Sequence, residues 1–440
     1  MSPFRALLWF ALALPVATPV AAESEGMKLT GFHDLQGRGA YQPVIHRQGE
    51  RWIAYVGHHA GRARNPLSGK LEDNGTSLID VSDPAKPRLL HHIPGGPGGE
   101  AQMVRVCDGK TLPRAPRDRV YMLRTRGHDA HEVWDVTLPE PPQRVAVVAD
   151  NLHGTHKNWW ECDTGIAYLV SGVPGWRTSR MTQIFDLGDP RQPRFIRNYG
   201  LEGQQPGASG AVPTGLHGAI STGPAGNRVY FGHGTSSGGI LQIVDREKLL
   251  KGKASDLRSP QVGRYDLDPS YGAHTAFPLT GMEFNGPDGR KTKRDFVAVI
   301  NEALADGCGG PRQKVWFIDV GDEARPHVAS TWELDDLIGD YCKRPGRIGA
   351  HSSNESFTAI YYRRILFIAH FNAGVRALDI RNPYMPREIA FFVPEGGGRT
   401  VTTNNVEVDD RGYIYIVDRH GLGMHVLELT GKARRVANFP

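Results

Sequence analysis

Short apolar stretches recur along the whole chain, and seven of them end in an acidic residue. Each copy consists of an apolar strand, the acidic residue and then, in most copies, a turn marked by proline. The acidic positions are Asp80, Asp135, Asp186, Asp245, Asp319, Asp379 and Glu428. Repetition at this scale is typical of arrays in which a single unit cannot bury its own apolar face. The pattern therefore predicts a repeat protein of seven units.

Within each unit the sequence predicts four strands in a constant order. In the sixth unit the first strand begins near His351, and the other three cover 364–369, 375–380 and 388–393. The second strands of the remaining units are rich in β-branched and aromatic residues and lie at 52–56, 120–123, 167–170, 229–231, 296–300 and 413–417. Four antiparallel strands repeated seven times predict an all-β fold, a seven-bladed β-propeller. An open solenoid is the alternative, although its repeats are usually shorter and its ends need caps.

The two ends of the array are ambiguous in sequence. Segments that resemble a fourth strand occur eight times, because both 27–35 and 433–439 fit the pattern. Either of them is able to complete the last blade. Helical periodicity is rare, and only 245–250 and 332–337 read as helical turns.

The N-terminal segment resembles a cleaved signal peptide. Arg5 gives a positive start, 7–16 form an apolar run, and the small residues of 20–22 predict cleavage before Glu23. A membrane anchor is the alternative, but the apolar run is short for a bilayer span. We therefore expect residues 1–22 to be removed and residues 23–440 to form one exported domain, periplasmic or secreted.

Charge and hydropathy exclude some classes of partner. Without Arg5 the chain has 51 Lys and Arg against 47 Asp and Glu, a formal net charge of +4. These charges are scattered, so we expect no nucleic-acid partner. No segment after residue 22 is apolar enough to predict a membrane span.

Four cysteines suit an oxidising compartment. Cys107 and Cys162 occupy Cys-Asp turns at the same place in neighbouring repeats, whereas Cys308 and Cys342 flank the strand near 315–320. Repeat position favours the pairs Cys107–Cys162 and Cys308–Cys342, although four cysteines allow three connectivities and a free or metal-binding pair is the other reading.

The repeat element itself resembles a known family. The Ile-Asp-Val-Ser-Asp-Pro element that starts at Ile79 is similar to the LVIVD repeat of bacterial and archaeal exported propellers, and the resemblance covers the whole mature chain. Segments 155–172, 349–356 and 403–419 resemble a subgroup of these proteins. The resemblance implies an exported propeller and no defined activity. A more distant similarity is to the selenium-binding and methanethiol oxidase propellers, which are associated with copper; the cysteine motif of that family is absent here, so its activity is not carried over.

Histidines concentrate where the first strands begin and where the second strands end. In a propeller both positions lie on one face near the axis. Four consecutive units start the first strand with His156, His217, His274 and His351, and the next unit has Asn404 and Asn405 there. The second strands end in His58, His233, Glu302, His370 and Asp418.

This convergence predicts a metal site. Imidazole is a usual ligand of copper, iron and zinc, and four blades can each offer one side chain to one point on the axis. We therefore expect His156, His217, His274 and His351 to be the ligands, in an arrangement similar to the iron centre of carotenoid-cleaving oxygenases. The pair His153 and His156 supports this reading. Alternatively, the histidines satisfy backbone carbonyls around a water-filled channel, because buried polar groups need partners.

Two functions follow from these readings. The first is an exported oxidoreductase that uses copper or iron, and less readily zinc, on an unknown small-molecule substrate. Glu302 or Glu355 is then the expected base, and His58, His233, His370, Asp418 and Asn405 line the pocket or orient the ligands. The second is a non-catalytic scaffold for a protein or carbohydrate partner, with the insertions 61–76, 201–214 and 303–313 as its recognition surface.

Overall fold

The computed structural model describes residues 22–96, 99–286, 288–335 and 339–440. The predicted signal peptide therefore lies outside the described residues, apart from Ala22. The chain begins with β1 (Glu23–Glu25) and β2 (Met27–His33), which both pair with strands from the C-terminal part of the chain.

Five separate antiparallel sheets of four strands follow one another along the chain, and we name them A to E. Sheet A contains β3 (Ala40–Gln48), β4 (Arg51–His58), β7 (Gly75–Asp80) and β8 (Arg88–Pro94), and the hairpin β5 (Arg62–Arg64) and β6 (Leu71–Asp73) is inserted into it. Sheet B contains β9 (Val104–Asp108), β10 (Val120–Arg126), β11 (Ala130–Asp135) and β12 (Gln143–Ala149). Sheet C contains β13 (Asn158–Trp160), β14 (Ile166–Ser171), β15 (Met181–Asp186) and β16 (Arg194–Tyr199). Sheet D contains β17 (Leu216–Ser221), β18 (Arg228–His233), β19 (Ile240–Asp245) and β20 (Gln261–Asp266). Sheet E contains β21 (Thr275–Asn285), β22 (Lys291–Ile300), β23 (Val315–Asp319) and β24 (His327–Trp332).

A nine-stranded sheet completes the fold, and we name it sheet F. Its first half is formed by β25 (Ile348–Ser353), β26 (Ile365–Phe371), β27 (Val375–Asp379) and β28 (Arg387–Val393), with β1 on the outer edge. Its second half is formed by β29 (Thr403–Val408), β30 (Ile414–Asp418), β31 (Met424–Leu429) and β2. Among the described residues, the strand pairing that joins the two halves is between β26 and β29, at the pair Phe371 and Thr403.

The N-terminal strand settles the ambiguity at the ends of the array. β2 pairs with β31 from Met27 opposite Leu429 to His33 opposite Met424, so it supplies the outer strand of the last unit. The competing segment 433–439 instead begins within the short helix α3 (Gly431–Arg434) and packs Phe439 against Tyr361.

Helices are few and short, as the sequence predicts. The expected helical turn at 245–250 is confirmed as α2 (Arg246–Lys251), and Asp245 caps it by accepting a hydrogen bond from the backbone N–H of Lys248. The helical turn expected at 332–337 is wrong for the residues that the structure describes, 332–335, because Trp332 is the last residue of strand β24 and no helix follows it there. The other helical pieces are α1 (Gly223–Gly226) and two 3-10 turns, Leu35–Gly37 and Tyr341–Lys343.

The core lies between neighbouring sheets. Tyr168 and Val170 of β14 pack against Val229 and Phe231 of β18, and all four side chains are buried. Second strands are enclosed on both faces, and β26 is buried along its whole length. This explains why their sequences are continuously apolar rather than alternating.

The repeated acidic residues stabilise the turns that follow the third strands. Five of them accept a hydrogen bond from the backbone N–H two residues later, and they are Asp80, Asp135, Asp186, Asp319 and Asp379. Asx turns of this kind let the carboxylate take the place of a backbone acceptor. The repeat is therefore a signature of chain reversal after the third strand.

Both disulfides join the predicted partners. Cys107–Cys162 links sheets B and C at their first strands, and Cys308–Cys342 ties the loop after β22 to the turn before β25. Among the described residues, no helix has the length and apolar character needed to cross a membrane.

Candidate metal centre

The four histidines predicted as ligands meet where the first strands begin. His217 and His351 lie in β17 and β25, and His156 and His274 lie just before β13 and β21. All four side chains are buried, with at most 7% of their surface exposed. Four separate chain segments therefore place imidazoles side by side, and we call this group the histidine ring.

The rings follow one another in sheet order. The centroids of His156 and His217 are 4.5 Å apart, those of His217 and His274 are 3.7 Å apart, and those of His274 and His351 are 4.4 Å apart. Tyr41 extends the series, since its hydroxyl lies 3.2 Å from Nε2 of His156. The group is a continuous row of five aromatic side chains.

Backbone carbonyls of the neighbouring segments orient two of the imidazoles. Nδ1 of His217 lies 2.8 Å from the carbonyl oxygen of His274, and Nδ1 of His351 contacts the carbonyl oxygen of Asn404. A carbonyl only accepts, so both Nδ1 atoms carry the proton and both Nε2 atoms keep a lone pair. Outer contacts of this kind fix the tautomer of metal-binding histidines.

His274 differs from its neighbours in the ring. Its Nδ1 lies 2.9 Å from the hydroxyl of Thr275, whereas its buried Nε2 has no hydrogen-bond partner among the described residues. Glu302, at the end of β22, is the nearest acidic group, with a carboxylate oxygen 4.0 Å from that atom. Nδ1 of His156 also lacks a partner, but Nε2 of His274 lies near a carboxylate as well, and the two observations together make it a candidate ligand atom.

One carboxylate joins the ring. Oxygens of Glu302 lie 3.6 Å from Nε2 of His351 and 4.0 Å from Nε2 of His274, and Arg347 approaches the same carboxylate at 3.4 Å. One nitrogen from each of His217 and His274 and one oxygen of Glu302 all lie within 4.8 Å of one another. Among the described residues, this is the only group of three or more such side chains that is close enough to hold a metal ion.

Electrostatics keep the ring neutral. Burial lowers the pKa of each of His156, His217, His274 and His351 well below its usual value of about 6.5. Burial raises the pKa of Glu302, while Arg419, Arg347 and Arg180 oppose that shift. Neutral imidazoles are the form that binds metal, so the site needs no proton removed from the rings at neutral pH.

Not all four imidazoles fit one ion in their present positions. Nε2 of His156 and Nε2 of His217 are 2.7 Å apart. Two nitrogens that share a tetrahedral metal at about 2.0–2.1 Å are separated by about 3.3 Å. The geometry therefore fits His217, His274 and Glu302 best, with His351 beside them, whereas His156 must move to join.

Glu355, predicted as a base, lies in a buried ion pair. Its carboxylate accepts hydrogen bonds from Nζ of Lys157 at 2.7 Å and from Arg105. Burial alone would raise the pKa of Glu355, but Lys157 and Arg105 together lower it. A carboxylate held ionised by two cations is a poor proton acceptor, so Glu302 is the better candidate for a base at this site.

The histidines predicted to line the pocket around the ring make their contacts elsewhere. Nε2 of His58 contacts the hydroxyl of Ser77 at 2.8 Å, and Nε2 of His233 contacts the amide oxygen of Gln242 at 3.2 Å, each within its own sheet. His370 packs edge-on against Trp332.

Three further residues also make structural contacts. Asp418 accepts hydrogen bonds from three backbone N–H groups, those of Thr402, His420 and Leu422. Asn405 is buried beside Gln42 and Asn404. His153 is exposed and packs on Gly172, so it does not pair with His156 as expected.

Sequence reasoning missed Tyr41 and Lys157. Tyr41 stands in Gly-Ala-Tyr, at the place where two other units have Gly-Ala-His, and this parallel was the available signal. Lys157 follows His156 directly, and its side chain is only 4% exposed because it pairs with Glu355 across the molecule. A sequence offers no sign of a pair separated by 198 positions.

Comparison with known proteins supports the fold and leaves the site unassigned. No family profile matches the chain, and no curated protein matches its sequence. Among solved structures, Raptor from Chaetomium thermophilum superposes with a TM-score of 0.53 at 10% identity, covering 94% of this chain. The chain corresponds to only 29% of the length of Raptor.

A second solved structure superposes with a lower TM-score. Sqt1 from the same organism, bound to the N-terminus of ribosomal protein L10, gives a TM-score of 0.48 at 13% identity, with 91% of this chain and 90% of that one covered. Raptor and Sqt1 are propellers of the WD40 type. The likeness to Raptor, together with the four-stranded sheets, shows an all-β fold of the propeller type.

Proposed function

We propose that this protein is an exported metal-dependent oxidoreductase whose ion is held by the histidine ring. The observation that carries the proposal is the orientation of the imidazoles. Carbonyl oxygens of neighbouring segments accept hydrogen bonds from Nδ1 of His217 and of His351, so the lone pairs of both residues are on Nε2. The lone pair of His217 accepts a hydrogen bond from His156, which a bound ion would replace. The unpartnered Nε2 of His274 lies beside them, next to Glu302.

The donor set favours iron. Two imidazoles and one carboxylate that leave further positions open are the ligands typical of non-haem Fe(II), whereas copper would be held by the imidazoles alone. Zinc remains a third occupant, because it also binds such ligands. A redox-active ion would supply activation of oxygen or of a small substrate, while the chain fixes its ligands and limits access of water.

We also propose seven blades and export for the whole chain. Counting the two halves of sheet F separately and adding the five sheets A to E gives seven units of four strands, with β1 as an additional edge strand on the sixth, and seven is the number expected from the repeats. The N-terminal pattern of residues 1–22, the likeness to exported LVIVD-repeat propellers and the two disulfides support a periplasmic or secreted location.

Elemental analysis tests the proposal directly. The mature chain is purified without a histidine tag, and iron, copper and zinc are measured before and after each metal is offered. We expect about one iron or copper per chain, and loss of that metal in the double variant H217A/H274A. His425 is buried in β31, away from the ring, so H425A is the control and should keep its metal. Metal-free protein that binds none of the three ions would overturn the proposal.

A specific observation favours a second candidate function, a scaffold that binds a protein. The three insertions predicted as a recognition surface each expose a large apolar side chain: Leu67 and Leu71, Val212, and Leu304 are 44–58% exposed. These loops follow second or fourth strands and therefore leave the sheets at the end where the histidines meet. Metal-free protein that captures a partner from periplasmic extract, and loses it in L67S/L71S/L304S, would favour this function.

A further inference from the structure

Three arginines from three parts of the fold surround the open side of the histidine ring. Arg180 directly precedes β15, Arg347 directly precedes β25, and Arg419 directly follows β30. Each is partly buried rather than extended into solvent. These positions lie at the sheet ends where the first strands begin, and the carbonyl oxygen of Arg180 accepts a hydrogen bond from the backbone N–H of Leu216, the neighbour of His217. We call the region beside the ring that these three arginines occupy the entrance.

Glu302 is the acidic group that all three arginines act on electrostatically, and Arg347 contacts its carboxylate directly at 3.4 Å. Arg419 also donates to the side-chain oxygen of Asn404 at 3.1 Å and lies 3.0 Å from Nε2 of His59. Arg180 acts electrostatically on Tyr41 and Glu302 as well. The entrance is therefore continuous with the proposed metal centre.

The positive charge of this entrance is not balanced by the chain. Among the described residues, Glu302 and Glu100 are the carboxylates that act on Arg180 and Arg419, so three cations face two anions here. The guanidinium group of Arg180 makes no hydrogen bond or ion pair with any residue that the structure describes. Partial burial of an unpaired cation costs free energy, and burial lowers the pKa of both Arg180 and Arg419. An anion at this place would remove that cost.

We propose that the entrance binds the substrate through an oxyanion, a carboxylate or a phosphate, held chiefly by Arg180 with Arg347 and Arg419 beside it. The guanidinium fork matches two oxygens of either group and binds them bidentately. Because the entrance opens onto the histidine ring, this inference names the substrate class of the proposed oxidoreductase and rests on that function. An anion fixed here would place the rest of a small molecule next to His274 and Glu302.

Calorimetric titration of the mature chain tests this inference without metal. Protein treated with a chelator is titrated with oxalate, with inorganic phosphate and with neutral acetamide, at constant ionic strength set with sodium chloride. We expect saturable binding of oxalate or phosphate and none of acetamide, and the stronger of the two anions identifies the group. The variant R180Q should weaken binding at least about tenfold, the loss of one charge-assisted bidentate pair.

Arg191 provides the control. It lies in the same sheet beyond the other end of β15, is exposed, and pairs with Asp189 at 2.9 Å. The variant R191Q should bind the anion as the unmodified chain does. Saturable binding of neither anion, or equal binding by R180Q, would overturn the inference. Bound metal without anion binding would leave the proposed function standing, and anion binding without metal would refute that function alone.

Discussion

Nε2 of His156 and Nε2 of His217 face each other across a gap of 2.7 Å, although the two residues come from different sheets. His217 carries its proton on Nδ1, which donates to the carbonyl oxygen of His274. Its Nε2 is therefore the acceptor, and His156 must donate from Nε2. The consequence is that Nδ1 of His156 bears a lone pair, and this buried atom has no partner among the described residues.

This tautomer pattern is measurable. In metal-free protein with 15N-labelled histidine, we expect His217 protonated on Nδ1, His156 protonated on Nε2, and a coupling between the two Nε2 atoms through the hydrogen bond. Zinc, added as a diamagnetic probe, should remove that coupling because it takes the lone pair of His217. A coupling that persists at full zinc occupancy would show that His217 is not a ligand.

Glu302 should decide metal affinity. The variant E302Q keeps the size of the side chain but removes its negative charge. Loss of a group that only supports a ligand costs about 10–100-fold in metal affinity, so we expect Fe(II) affinity to fall at least that much when a ligand is lost. Competition with a chelator under anaerobic conditions gives this ratio. Glu100 is also buried but pairs with His128, and E100Q should stay within about twofold of the unmodified protein. Equal affinities for the two variants would remove Glu302 from the site.

The sequence predicted the repeat well because each unit must solve the same local problem. Asp80 and its counterparts accept from a backbone N–H two residues later, a contact within one turn that leaves a mark in every copy. Second strands such as β26 are enclosed on both faces and therefore read as continuous apolar runs. The position of the ring histidines followed from the same register, since each stands where a first strand begins.

The residues that the sequence did not predict depend on contacts across the molecule. His58 and His233 stand at repeat positions like those of the ring, yet their partners on the adjacent third strands, Ser77 and Gln242, bind them within their own sheets. The position of a residue in the repeat predicts where it lies along its strand, but not which way its side chain points. The pairing of Lys157 with Glu355 likewise appears only when the chain closes.

Buried neutral histidines should make the fold sensitive to acid. Burial lowers the pKa of His425 to about 4, whereas the unfolded chain has its usual value near 6.5. Between these two pH values His425 is protonated in the unfolded chain but not in the folded one. The free energy of unfolding is therefore unaffected by His425 above about pH 6.5 and falls as the pH drops toward 4. Urea unfolding of H425Q at several pH values should show a slope smaller by up to about 1.4 kcal/mol per pH unit. An unchanged slope would mean that His425 titrates normally in the fold.

The two disulfides should contribute separately to stability. Cys107–Cys162 closes a separation of 55 residues and Cys308–Cys342 one of 34, so chain entropy predicts about 4 kcal/mol for each. We expect C107A/C162A and C308A/C342A each to lower Tm, and the chain lacking all four cysteines to be insensitive to reductant. Calorimetric unfolding with and without reductant measures this. A variant with an unchanged Tm would assign its disulfide no role in stability.

Disruption of the buried pair Lys157–Glu355 should cost far more stability than disruption of an exposed pair. Its side chains are 4% and 2% exposed, so K157M leaves the Glu355 carboxylate buried with only Arg105, and we expect a loss of about 3–5 kcal/mol. The double variant K157M/E355Q should recover part of that loss, because the buried carboxylate is gone and the charge that loses its partner, Arg105, is 12% exposed. The helix pair Lys251–Glu247 is 76% and 59% exposed, and K251M should cost less than about 1 kcal/mol. Urea unfolding of the three variants gives these differences, and a K157M that is no less stable than K251M would contradict the burial argument.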